Sequence, residues 1–139
     1  MRALALFIFS FFAAGAQAEE PVSTAGLDIE LNAASQTEAG CQLSFLLTNG
    51  HQADINTAVF EAVLFDTAGS VTLMTLFDMG KLPATRPRVR QFVLPGMACE
   101  GLGQLLFNGA QRCESEALAP DACTEGLTLH SRTAIKVSG

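Results

Sequence analysis

The chain has 139 residues, with 14 acidic and 8 basic side chains, a net charge of −6, four cysteines, and neither Trp nor Tyr. Charged residues make up 16% and apolar residues 49%, whereas an average soluble domain is roughly 25% charged. Such a chain is too short for a two-domain enzyme, too acidic to hold nucleic acid by bulk charge, and too apolar to be disordered.

In chain order, Met1-Arg2 supplies a short positive start. Ala3 to Phe12 is an apolar run carrying Phe7, Phe9, Phe11 and Phe12, and Ala13 to Ala18 ends in a small-x-small pattern. This is the layout of a secretory signal peptide cleaved after Ala18. A membrane anchor needs about 20 apolar residues, and the run fails at Gly15, Gln17 and Glu19-Glu20. No cysteine follows the cleavage point to carry a lipid. The single Arg2 favours the general secretory route over the twin-arginine one. Residues 19–26, with Pro21, read as a flexible leader. Residues 27–139 read as one domain in a periplasmic or secreted protein. Cleavage removes Arg2 and makes the side-chain balance one charge more acidic.

Beyond the leader no segment has helical periodicity. Short apolar runs recur between Gly, Pro, Asn and Asp, the rhythm of an all-β sandwich or barrel. Leu27 to Ala34 is the first strand, with Leu27, Ile29 and Leu31 on one side. Cys41 to Thr48 is the second, with Cys41, Leu43, Phe45 and Leu47 on one face, ended by the Asn49-Gly50 turn signal. Ile55 to Phe65 is the third and Val71 to Phe77 the fourth, joined by Asp66 to Ser70. Val89 to Leu94 is the fifth, closed by Pro95-Gly96. Leu102 to Phe107 is the sixth, ended by Asn108-Gly109. Leu127 to Val137 is the seventh. Seven strands match a single immunoglobulin-like β-sandwich, with a seven-strand barrel as the other topology.

An even number of cysteines in an exported chain reads as two disulfides. There is no C-x-x-C, and the spacings do not match a zinc site. Four cysteines allow three connectivities. In successive antiparallel strands the second and sixth begin at the same end. Cys41 can therefore bridge the two sheets to Cys99, with Cys113 and Cys123 closing the loop before the last strand, and this is the favoured of the three connectivities.

Catalytic patterns are missing. There is no G-x-S-x-G, H-E-x-x-H or P-loop. His51 reads as a turn residue and His130 as a polar-face strand residue. Asp54, Asp66 and Asp78 fall at strand ends without the clustering that calcium needs. No catalytic residue, metal or cofactor is expected.

Two features stand out. Arg86, Arg88 and Arg90 lie at spacing two and share one side of an extended segment. They suit an acidic partner; the competing role is an edge strand guarded by charge and by Pro87. The other feature is the hairpin of the third and fourth strands. Phe60, Ala62 and Leu64 form one apolar face, while Val59, Val63 and Phe65 with Met74 and Leu76 make the other nearly as apolar. A two-layer sandwich cannot bury both faces, so loops, the leader or another chain must cover one, or the hairpin is prone to aggregate.

The pattern Cys-x-Leu-x-Phe-x-Leu-x-Asn at 41–49, Val-Leu-Phe-Asp-x-x-Gly at 63–69, and Arg90, Phe92, Leu94, Pro95, Gly96 resembles small exported bacterial Ig-like modules of the FxLYD type. The resemblance spans roughly residues 40–110 and rests on strand and turn residues. Arg90 sits one residue off the ideal spacing, and Phe65 stands where that signature has Tyr. The Arg-Pro-Arg-Val-Arg-Gln-Phe run at 86–92 is similar to that of small secreted alphaproteobacterial proteins of uncharacterised role. The resemblance implies a sandwich and no catalytic residue.

The expected function is a non-catalytic interaction module. It binds another envelope protein through Arg86, Arg88 and Arg90 and through Val59, Val63, Phe65, Met74 and Leu76, with a homo-oligomer as a further partner arrangement. The alternative is a carrier holding a small apolar ligand in an enclosed β-cavity.

Overall fold

The computed structural model describes residues 25–139. The signal peptide read at 1–18 and the leader through residue 24 lie outside the described residues. Eight strands follow: β1 (Leu27–Thr37), β2 (Gly40–Asn49), β3 (Ile55–Asp66), β4 (Val71–Leu82), β5 (Arg88–Pro95), β6 (Leu102–Glu114), β7 (Thr128–Ser131) and β8 (Lys136–Ser138), with one 3-10 turn at Cys99–Gly101. They form two four-stranded sheets, ordered β5-β2-β1-β7 and β4-β3-β6-β8. The architecture is a β-sandwich with two layers. Its β5-β2-β1 and β4-β3-β6 orders match the E-B-A and C′-C-F strands of immunoglobulin sandwiches.

The layers follow from alternation. Leu27, Ile29 and Leu31 of β1, with Cys41, Leu43, Phe45 and Leu47 of β2, are buried, and the residues between them are not. From the other sheet, Ala58, Phe60, Ala62 and Leu64 of β3 turn inward. Phe45 lies against Phe77, Phe92 and Phe107 at centroid distances of 5.4, 6.1 and 6.1 Å, and Phe60 meets Phe107 edge-on at 5.4 Å. Aromatic rings in such tilted and edge-to-face contacts carry both area and geometric preference. Removing one, as in Phe45→Ala, would cost about 3–5 kcal/mol.

The disulfides are Cys41–Cys99 and Cys113–Cys123. The first ties the start of β2 to the turn that begins β6, joining the two layers; the second closes the loop after β6. Two disulfides belong to an oxidising, non-cytoplasmic environment. Among the described residues no helix is long and apolar enough to cross a membrane.

The run expected as one last strand is divided between the sheets. Thr133 N donates to Ser131 Oγ and Ile135 N to Thr133 Oγ1, local side-chain turns that break the ladder. β7 pairs parallel to β1 and β8 parallel to β6, and buried Ile135 sits where the chain crosses over. Alternation could not reveal the break, because hydroxyl turns leave the apolar pattern intact.

At the opposite side, Asn49 is the one buried polar residue among those described. Its Nδ2 donates to the carbonyls of Ala53 and Leu82, both at 2.9 Å, and its Oδ1 accepts from His51 N at 2.9 Å. One amide thereby satisfies the β2–β3 loop and the end of β4 together. Asn49→Leu should lower the unfolding free energy by about 3 kcal/mol, because the buried Leu82 carbonyl and two part-buried backbone groups lose their partners; urea unfolding of the oxidised protein measures it.

Candidate functional site

Strand β3 is central in its sheet, with β4 on one side and β6 on the other. On its outer face Val63 lies opposite Met74 and Leu106, Glu61 opposite Leu76 and Gly109, and Val59 opposite Asp78 and Arg112. Val59 and Val63 are each only 7% exposed, so side chains of the two flanking strands cover them. Phe65 is half-buried. Among the described residues strand β4 pairs with β3 alone, and there the apolar side chains are exposed: Val71 is 57%, Met74 58% and Leu76 46% exposed. The hairpin face read from the sequence is therefore two things, a covered floor (Val59, Val63) and an exposed border (Met74, Leu76). Val71, which pairs with Phe65, extends that border and was missed. It opens the strand, where its side of the sheet could not be read before the pairing was known.

Glu61, which shares this face with Asp78, is turned toward β6 by a hydrogen bond from Asn108 Nδ2. Arg112 and Glu114 pair at the far end, 2.6 Å apart. That contact lowers the Glu114 carboxyl pKa and raises that of the Arg112 guanidinium.

The arginines lie on the edge strand of the other sheet. β5 pairs only with β2, setting Arg88 opposite Leu47 and Arg90 opposite Phe45. Within β5, Arg88, Arg90, Phe92 and Leu94 alternate with the more exposed Val89, Gln91 and Val93. Arg88 and Arg90 thus share the inward side with core residues. Arg90 spans to the second sheet. Its Nε donates to Met79 O at 2.8 Å and its Nη2 to Lys81 O at 3.1 Å. Gly80 between those carbonyls adopts φ +64° and lies against the guanidinium. Arg90 is a clasp between the two edges. Arg88 donates only to Pro87 O, and Arg86 is exposed in the loop before β5. The common parity of the arginines with Phe92 and Leu94 is the sequence signal that puts Arg88 and Arg90 on the inner side.

Arg86 neighbours Asp54. Asp54 Oδ1 accepts from Ala84 N at 2.9 Å and Oδ2 pairs with Lys81 Nζ at 3.1 Å. The backbone hydrogen bond first, then Lys81 and Arg86, hold its carboxyl below the usual carboxylate value.

The histidines lie elsewhere. His51 Nε2 contacts Ala122 O at 2.7 Å, tying the β2–β3 loop to the Cys113–Cys123 loop. His130 Nε2 and Thr128 Oγ1 both contact Asp28 Oδ2 at 2.7 Å. The threonine hydroxyl is spent on the carboxylate rather than on the imidazole, and the group is exposed. A cleft of about 620 Å³ between the Asp66–Ser70 turn, Glu100, Gln104 and Lys136 is lined by neither histidine. Among the described residues no three His, Cys, Asp or Glu side chains are placed to hold a metal ion.

Two outcomes follow from the arginine and aspartate geometry. Arg90→Met should lower stability by about 1–2 kcal/mol through loss of charge-assisted bonds, while Arg86→Ser and Arg88→Ser stay within about 0.5 kcal/mol of the parent, as read by urea unfolding. Asp54 has its carboxyl pKa depressed on folding, so its stabilisation is fully present above about pH 4 and is lost as pH falls through the folded value. Asp54→Asn should therefore flatten the acid limb of a stability–pH curve below about pH 4 and leave its slope near neutrality unchanged.

No family model matches the chain, and neither curated proteins nor solved structures include a match to it.

Proposed function

We propose that this protein is a non-catalytic interaction module of the periplasm or the secreted compartment, binding another envelope protein. The contact surface is the outer face of the β4-β3-β6 sheet, with Phe65, Met74 and Leu76 over the floor of Val59 and Val63. Arg86 and Arg88 are cations on the neighbouring edge of the other sheet, near the Lys81 end of β4, and Arg90 holds the two edges in place. The single observation that carries this reading is the exposure of Val71, Met74 and Leu76 together on one edge strand; the other exposed large apolar residues, Val89 and Val93, lie on β5 of the opposite sheet. Clustered exposed apolar side chains rimmed by polar ones mark interaction surfaces. The disulfides support export, since they persist in oxidising compartments.

The carrier alternative has less support. Phe45, Phe60, Phe77, Phe92 and Phe107 occupy the space between the sheets at ring spacings of 4.5 to 6.1 Å. That is where an enclosed ligand would sit.

Pull-down from envelope extract with the exported, oxidised chain tests the reading. Wild type should recover a partner. Phe65→Ser should abolish recovery, and the Arg86→Ser/Arg88→Ser pair should reduce it about tenfold, with the remainder insensitive to salt. Equal recovery by all three proteins, with native circular dichroism, would refute the proposed surface.

A further inference from the structure

Among the described residues the sandwich has four sheet edges, and three are protected. β5 is flanked by Arg86, Pro87 and Arg88 at its start and Pro95 at its end, while β7 and β8 have four and three residues. Charge, proline and shortness are the usual means of blunting an edge. β4 lacks all three over Val71-Thr72-Leu73-Met74-Thr75-Leu76-Phe77, which contains no charge, proline or glycine. This window is about 24 Å long at the usual strand rise. Its far end is set by Arg90, which occupies the carbonyls of Met79 and Lys81. Its near end is the turn in which Asp66 N donates to Ser70 O.

We propose that the open edge of β4 pairs antiparallel with β4 of a second copy, forming a two-fold dimer with one continuous eight-stranded sheet. This extends the interaction-surface reading, on whose exposed border it rests. An edge strand demands another strand, because only a strand supplies the matching row of backbone donors and acceptors. The Ser70 turn and the Arg90-bound carbonyls of Met79 and Lys81 leave Val71 to Asp78 free, so the two-fold axis falls near the middle of that stretch; in the proposed dimer it lies at Thr75. Met74 of each copy then faces Leu76 of the other on the outer side, twice over, and Asp78 faces Thr72. No two charges oppose each other in this register, and Glu61 is held toward β6. A chain of charge −6 can thus approach a like-charged copy along an uncharged strip. Association closes at two, since the pairing is isologous and the remaining edges are protected. The dimer doubles the apolar outer face presented to a partner.

The interface is small beside the roughly 1,600 Å² of a standard complex, so dimerisation should be weak and concentration-dependent. Sedimentation velocity of the exported, oxidised chain from about 10 µM to about 1 mM should show a monomer–dimer shift. Added salt should strengthen it by screening the net negative charge, whereas contacts made through arginines weaken with salt. Met74→Lys/Leu76→Lys should abolish the shift, and Val93→Lys on β5 should leave it intact. In wild type, hydrogen exchange at amides within 71–78 should slow at least threefold at the high concentration, a readout that needs no variant. A monomer throughout, a dimer that survives the lysine pair, or unchanged exchange in 71–78 overturns self-pairing. Partner capture is judged separately with Phe65→Ser, whose site lies on the central strand. A monomeric protein that still captures a partner defeats self-pairing alone, and a dimer that captures none defeats only the partner reading.

Discussion

A two-layer sandwich has one interior, and strand β3 carries apolar residues on both of its faces. Its inner residues, Phe60, Ala62 and Leu64, meet the opposing sheet. Among the described residues no layer lies above its outer residues, which depend on side chains from the strands beside them. Because β3 lies between β4 and β6, Val59 and Val63 are covered from both sides. Because β4 lies at the edge, its own apolar side chains are covered from one side only. The exposed border and the open edge are thus two consequences of a single strand order.

The lateral sides of the sandwich are closed by different chemistry. Between β4 and β5, Arg90 joins the sheets with a guanidinium fork on two carbonyls, and Asn49 satisfies the adjoining loop from within. Guanidinium suits this place because it is always charged, planar and multiply donating, and its apolar stem can lie beside Phe92. Between β1 and β6, the chain itself crosses from one sheet to the other through β7 and β8. The disulfide Cys41–Cys99 then ties the sheets at a further point. Among the described residues these closures leave the Val71–Phe77 stretch of β4 without a covering element.

Alternation made the inner faces of β1 and β2 legible, since a period of two on a half-buried strand separates core from solvent directly. The cysteine pairing was legible from strand direction alone, and it matches the observed bridges. The hairpin was harder. Its two apolar faces could be seen, but which residues were floor and which were border depended on the neighbours of β3. The arginines were also misleading in isolation. Spacing put them on one side, but only their parity with Phe92 and Leu94 says which, and the reach of Arg90 to Met79 depends on a strand eleven residues earlier folding alongside.

The sequence by itself determined the all-β layering, the two disulfides and the presence of apolar residues in excess of one core. These rest on local periodicity, turn chemistry and cysteine number, all of which are properties of short stretches. Only the tertiary structure decided strand order, the division of the last strand between two sheets, and the structural role of Arg90. It also decided that β4, not β5, has the unprotected edge. Edges and neighbours arise from pairings between distant segments. Arginine and Pro87 mark β5 as an edge, but nothing within β4 records that β3 alone will lie beside it.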